Sequence, residues 1–388
     1  MRAFGGACSP LCILASAGDK SFAAQRSFMV FVSSLPGAKT KTLARVREDG
    51  GGRVRLAVFQ SGCYQAGMAD ILKKEGFFAV AIEDPAIAEI REHKDFILAP
   101  ELVRWLMPTP ETTEAWIASL QSGHHRNLLK KRLKIIQGRR EELRVEVRPL
   151  TVSDYRIWHD RLYRPIIGAK RGAILYWPRA EFLSKRAKAT AEGAVVNFLR
   201  IFIYRPNGDL IGGSLWQISP SQGMLAVVAA AFEQKTRAGH ELSALVLEEA
   251  IHHADAHRLR WTSYGSDPNL YGVDVGLGLQ AFKAGTGMKP VLRKAGGLWL
   301  LKILDENLSQ IRSDAGEPSV LVFTLGGDDP AEREAAFQRQ PPQAQRGNPD
   351  LVWRRRHDLK PIRFAARPPA DAVIIPEGMM LQDRVLIS

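Results

Sequence analysis

Apolar and polar positions fall into strand and helix periods from about residue 54 onward. Val54–Gln60 reads as a buried strand, Gln65–Glu75 as a helix and Phe77–Ile82 as a second strand. Pro85–His93 reads as a short helix and Asp95–Ala99 as a third strand. Strands alternating with helices predict a small parallel α/β layer. Glu114–Leu120 and the segment after it are helical in pattern. Leu143–Val147 alternates as a strand, and Asp154–Tyr163 continues as a helix behind the cap candidates Ser153 and Asp154.

The next stretch is the most regular. Val195–Tyr204 and Leu210–Ile218 are strands joined by the hairpin turn Pro206-Asn207-Gly208-Asp209. Gly223–Ala231 is a third strand, Glu233–His240 a loop, and Glu241–His257 a long helix. Arg260–Tyr264 is a strand, Val275–Ala284 a short helix, and strands near Pro290–Arg293 and Gly297–Lys302 close the unit. Beyond Asp305 the pattern weakens. Ser319–Leu325 reads as a strand, Asp329-Pro330 opens a helix with Asp as N-cap and Pro at the first position, and Ala372–Ile375 is strand-like. The Gln/Pro-rich 338–349 stretch reads as a linker. The expected organisation is a flexible leader over 1–45, a small α/β region over 46–113, a larger mixed domain over 114–305, and an extension of unassigned role over 306–388.

Composition narrows the class. The chain has 388 residues, 45% hydrophobic and 24% charged, ordinary for a globular protein. No apolar run of about 18 residues is present, so no membrane span is expected. Three cysteines, Cys8, Cys12 and Cys63, are too few for a disulfide framework. A reducing, cytoplasmic setting is the expectation. Leu11–Ala17 ends in Ala15-Ser16-Ala17, loosely like a signal cleavage site, but the run is broken by Cys12, and Met29 is an alternative start.

The formal charge of +13 favours an acidic partner. From residue 306 onward, 11 Lys+Arg face 12 Asp+Glu, so the excess lies upstream. It is densest in His124–Arg140, which has seven Lys/Arg and no acid. Leu129, Leu133 and Ile136 give that helix one apolar stripe and leave the rest basic. This face is either solvated or turned toward phosphates. Residues 164–190 add seven Lys/Arg with Tyr176, Trp177 and Phe182 among them.

Several residues could carry chemistry. Gln234-Lys235-Thr236-Arg237-Ala238-Gly239-His240 is a cationic loop feeding a helix N-terminus, where free N–H groups bind phosphate and Gly239 permits close approach. Phe282-Lys283 pairs a stacking surface with a cation suited to a phosphate or an oxyanion. Asp267, Tyr264 and Tyr271, at the mouth of the 260–264 strand, are acid–base candidates, although Asp267 before Pro268 also suits a turn. His252, His253 and His257 share one helix. Ala254 occupies the position where a zinc-binding His-Glu-x-x-His motif needs its Glu, so no metal is expected and a role near the helix C-terminus is preferred.

The order hairpin, strand, polar loop, long helix, strand, short helix resembles the GNAT acyltransferase fold. More narrowly, Arg126–Lys134, Ile211-Gly212-Gly213-Ser214, the 241–257 helix and Phe282-Lys283 resemble its FemAB-like branch, which includes the Fem aminoacyl transferases. The resemblance covers about residues 114–302. It implies an α/β (α+β) mixed sheet built as a GNAT-like lobe, with two such lobes packed together and an irregular C-terminal extension. It also implies an enzyme that moves an acyl group from acyl-CoA to an amine or hydroxyl acceptor. Lys235, Arg237, Gly239, His240 and Phe282 would hold the donor, and Lys283, Asp267, Tyr264 and Tyr271 would serve the chemistry. The loop departs from the GNAT pattern, since Gly239 follows Arg237 by only two and Glu241 stands where a small residue is usual. One alternative is an aminoacyl-tRNA donor, with tRNA or another polyanion on Arg126–Arg140. Another is a non-catalytic scaffold binding a polyanion through the same face.

Overall fold

The computed structural model describes residues 38–39, 54, 56–65, 67–168, 194–233, 238–273, 275–293, 297–309, 311, 318–327, 329–340, 348–350, 353 and 359–365. By contacts the chain divides into two compact units. One spans Met1–Ala99, Gly297–Arg339 and Lys360–Ser388; the other spans Pro100–Gly296 and Gln340–Leu359.

The first unit holds a five-stranded sheet in the order β1-β2-β3-β12-β4, with β1 Ala38–Lys39, β2 Leu56–Gln60, β3 Ala79–Glu83, β4 Ile97–Pro100 and β12 Leu298–Ile303. The helices α1 (Met68–Lys74) and α2 (Ile87–Glu92) connect β2 to β3 and β3 to β4. The sequence predicts a parallel layer here, and β2 and β3 are parallel. The sheet is nevertheless mixed, because β12 enters antiparallel to β3, with Leu300 opposite Ile82. That strand was expected to close the larger unit beside residues 290–293. Its apolar run Leu298–Leu301 is buried throughout, as a central strand covered on both faces requires. A second sheet pairs β13 (Ser319–Thr324) with β14 (Lys360–Ala365), the latter not read from the sequence. A further helix, Pro330–Gln338, starts as expected, with Asp329 accepting the Ala331 N–H at 2.9 Å.

The second unit is built on a seven-stranded sheet in the order β11-β5-β10-β9-β8-β7-β6. Its strands are β5 Leu102–Pro108, β6 Arg144–Thr151, β7 Ala194–Tyr204, β8 Leu210–Ser219, β9 Met224–Phe232, β10 Trp261–Pro268 and β11 Lys289–Leu292. β6 to β9 form an antiparallel meander. A helix, Ala238–Ala256, then crosses over, and β10 returns parallel to β9. This is the order the sequence predicts for the mixed α/β lobe. The parallel pairing registers only from Trp261–Met224 to Ser263–Ala226.

The two glycines of Ile211-Gly212-Gly213-Ser214 explain how the meander is covered on both faces. A Cβ on Gly213 would lie 2.8 Å from the Phe202 ring and 3.1 Å from Trp158, whose Nε1 donates to the Gly213 carbonyl at 3.2 Å. A Cβ on Gly212 would meet Phe232 at 2.9 Å and Leu242, on the Ala238–Ala256 helix, at 3.6 Å. These glycines therefore serve packing. On the Trp158 face, Tyr155, Leu162, Tyr163, Phe198, Phe202 and Leu215 form a buried cluster. The basic helix Gly123–Gln137 packs on the Ala238–Ala256 helix. Its Leu129, Leu133 and Ile136 are buried, as their spacing predicts.

No helix among the described residues is long and apolar enough to cross a membrane.

Candidate active site

Two elements bring the chemistry together. The first is β10, which the sequence ends at Tyr264 but which runs on to Pro268 through a bulge between Ser263 and Ser266. Gly265 makes that bulge feasible. Its φ is +76°, and a Cβ there would stand 3.0 Å from the Val227 carbonyl oxygen. The bulge re-aims the strand so that Asp267 pairs in register with Val103 of β5. Asp267 is thus a strand residue and not the turn former its Pro268 neighbour would indicate.

The second element is the helix Leu277–Gly285. Lys283 is its one buried residue, 4% exposed, whereas Leu279 is 42% exposed. The turn after the helix fixes the Lys283 backbone. Thr286 Oγ1 donates to the Lys283 carbonyl at 2.8 Å, and Trp116 Nε1 donates to the Thr286 carbonyl at 2.9 Å.

Lys283 Nζ lies 2.8 and 2.7 Å from the two Asp267 carboxylate oxygens. The Tyr271 hydroxyl donates to Asp267 Oδ2 at 2.9 Å and accepts from Trp105 Nε1 at 2.8 Å. Four side chains from β5, β10, the following loop and the short helix therefore form one buried chain. The sequence singled out three of them. It missed Trp105, because β5 was not recognised and nothing local marks a tryptophan as a hydrogen-bond donor to a distant tyrosine.

Tyr264, 8% exposed, lies against Phe282 with ring centroids 5.4 Å apart and against Trp216 at 6.1 Å. Burial moves these groups' protonation. It pulls Lys283 below the usual lysine value, while Asp267 opposes that and favours the ammonium. Burial raises Tyr264, and burial together with the Asp267 charge raises Tyr271, so both phenols stay protonated at neutral pH. The arrangement holds a cation against a carboxylate that also binds the protonated Tyr271 phenol, a source of charge stabilisation.

The other expected residues are placed less fully. Lys235 and Arg237 lie outside the described residues, as do residues 170–190 and Ala372–Ile375. Gly239 and His240 fall in the first turn of the Ala238–Ala256 helix. On the basic helix Arg126, Lys130, Lys131 and Lys134 are exposed, and beyond its end Arg140, also exposed, pairs with Glu249 at 2.5 Å. His253 and His257 stack at 4.0 Å, and His257 Nδ1 lies 2.8 Å from the His253 carbonyl oxygen, near the helix C-terminus as anticipated. Among the described residues no group of three or more His, Cys, Asp or Glu could hold a metal ion.

No protein-family model and no curated protein matches the chain. Among solved structures it is similar to FemX, at 12% identity over 70% of this chain and 85% of that one, with a TM-score of 0.39. It is also similar to the C-terminal domain of a putative lysylphosphatidylglycerol synthetase from Agrobacterium fabrum, at 10% identity, 69% and 84% coverage and a TM-score of 0.32. A third similar structure is a tandem GNAT protein from the clavulanic acid biosynthesis pathway, at 9% identity, 66% and 76% coverage and a TM-score of 0.30. These are likenesses of the chain to GNAT and Fem-type structures, and its mixed α/β class rests on its own sheets and helices.

Proposed function

We propose that the chain is an acyltransferase that moves an acyl group from acyl-CoA to an amine or hydroxyl acceptor, with Lys283 as the residue beside the reacting carbonyl. The observation that carries this reading is the burial of Lys283 against Asp267 in a helix that leaves Leu279 exposed. A buried ion pair adds little net stability over well-packed apolar residues. A strongly desolvated lysine with a specific charge partner is the pattern functional sites favour.

In this reading the acceptor nitrogen adds to the acyl carbonyl carbon, and the carbonyl electron pair moves onto oxygen. A Lys283 N–H stabilises that oxygen. The C–N bond forms, the bond to the leaving sulfur breaks, Tyr264 gives its proton to that sulfur, and the tyrosinate so formed takes the proton that the nitrogen releases. Tyr264, kept protonated by burial, is the donor to the leaving group. Asp267 and Tyr271 are positioning residues that hold Lys283. The 234–240 loop and the helix it feeds would bind the donor's phosphates.

A second donor, aminoacyl-tRNA, is favoured by one specific observation. Arg126, Lys130, Lys131 and Lys134 are exposed on a helix without acid residues, and among the described residues none of them is in an ion pair. A binding screen with acetyl-CoA, longer acyl-CoAs and charged tRNA separates the donors. The acyl-CoA reading predicts saturable CoA binding that a Gly239→Val variant weakens about tenfold or more. The tRNA reading predicts a salt-dependent affinity whose logarithmic slope falls by roughly 0.7–0.9 for each lysine changed to Gln that had contacted a phosphate. Binding of neither donor would overturn the transferase reading and leave the scaffold.

A further inference from the structure

We propose that Arg104 and Arg293 form a binding site for a phosphate group on the face of the seven-stranded sheet opposite Asp267. The register defines the face. Asp267 pairs with Val103, and Ser266 pairs with Arg104, so Arg104 points away from the Lys283 side. Arg104 also pairs with Val291 of β11, and Arg293 stands just past the end of that strand, two residues after Val291. The Arg104 Nη1 lies 3.9 Å from the Met224 sulfur, and Met224 packs with Leu106, Trp261 and Val291 in a buried apolar cluster. Lys289, on the same face of β11, stands 5.5 Å over the Trp353 ring.

Asp350, which accepts from Trp261 Nε1 at 3.1 Å, is itself paired with Arg260 at 2.5 Å. Among the described residues neither Arg104 nor Arg293 is in an ion pair. Both are half-buried, and the fold treats the fully buried Arg200 differently. That guanidinium lies 2.9 Å from Glu146 and 3.1 Å from Asp154. Burial, and then the neighbouring Arg293 charge, depress Arg104 below the usual arginine value. Two like charges beside an apolar floor repel one another more strongly than in water. The guanidinium fork matches the oxygens of a phosphate bidentately, and two forks suit its double charge. A bound phosphate would convert the repulsion into attraction. The site does not depend on the transferase reading, since it uses none of the residues around Lys283.

Pyrophosphate, inorganic phosphate and acetate titrated into the full chain, followed by calorimetry and thermal melting, test this. The expected result is saturable pyrophosphate and phosphate binding, with acetate much weaker. Arg104→Gln and Arg293→Gln should each weaken phosphate affinity at least tenfold, while a variant at an exposed lysine of α1, Lys74→Gln, should keep it. Without ligand, Arg293→Gln should melt at or above the wild-type temperature, because it removes a repulsion. Three results would overturn the site: no binding to the wild type, unchanged affinity in both arginine variants, or an unliganded Arg293→Gln protein that melts well below wild type. A preference for acetate would reassign it to a carboxylate and equally reject the phosphate.

Discussion

Lys283 spends its charge inside the protein, and its stability signature follows from that. Read from sequence, Lys283→Met keeps the aliphatic stem and helix propensity, so the fold should tolerate it. The structure changes this expectation, because the substitution strands the Asp267 carboxylate that Lys283 Nζ approaches at 2.8 and 2.7 Å. Breaking a buried pair by removing one partner costs about 3–5 kcal/mol, whereas replacing both partners can be close to neutral. Lys283→Met alone should therefore destabilise by about that amount, and Lys283→Met/Asp267→Asn should recover most of it. Denaturant melts of the three proteins measure this. Equal stability in all three would mean that the pair is not formed in solution.

At the scale of elements, short turns tie the first unit together, and one carries a pH dependence. Glu89, on α2, accepts from the Gly62 and Ala86 N–H groups at 2.8 Å each and from the Ser61 hydroxyl. Burial pushes its carboxyl upward, but the hydrogen bonds from Gly62, Ser61 and Ala86 outweigh this and hold it below the usual glutamate value. The folded state thus favours the ionised form. That contribution is complete above the ordinary value of 4.5 and is lost as pH falls through the lower folded value. Glu89→Gln should lower the melting temperature at pH 7, and the gap to wild type should close as the pH is taken well below 4.5. A gap that stays constant with pH would assign Glu89 a role other than its charge. The existence of these elements was legible because the β2, α1, β3 and α2 segments are strongly periodic. The turn partner was not, since 27 or more residues separate Glu89 from Gly62 and Ser61.

For the whole molecule, sequence resolves the order of elements far better than their partners. The β7–β8–β9 meander, its crossover helix and β10 were readable because hairpin signals and helix periods are local. The central place of β12 was not, since its neighbours β3 and β4 lie some 200 residues away and only pairing reveals them. β5 escaped notice although it sits between β10 and β11 and carries Trp105, because prolines at positions 100 and 108 make it read as connecting chain. The same limit explains the site. Phe282-Lys283, Asp267 and Tyr271 could be named from residue type, but that Lys283, Asp267 and Tyr271 form one hydrogen-bonded chain depends on a bulge whose only sequence mark is Gly265.

The central claim is that Lys283 stabilises charge during acyl transfer, and single-turnover transfer measures it most directly. Wild type and the Lys283→Met/Asp267→Asn protein, both shown to be folded, would be mixed with saturating labelled acyl-CoA or charged tRNA and an amine acceptor. Loss of one preorganised oxyanion donor should slow the chemical step about 100- to 1,000-fold, or roughly 2.7–4 kcal/mol, with donor affinity little changed. Transfer at the wild-type rate by the folded variant would contradict the account.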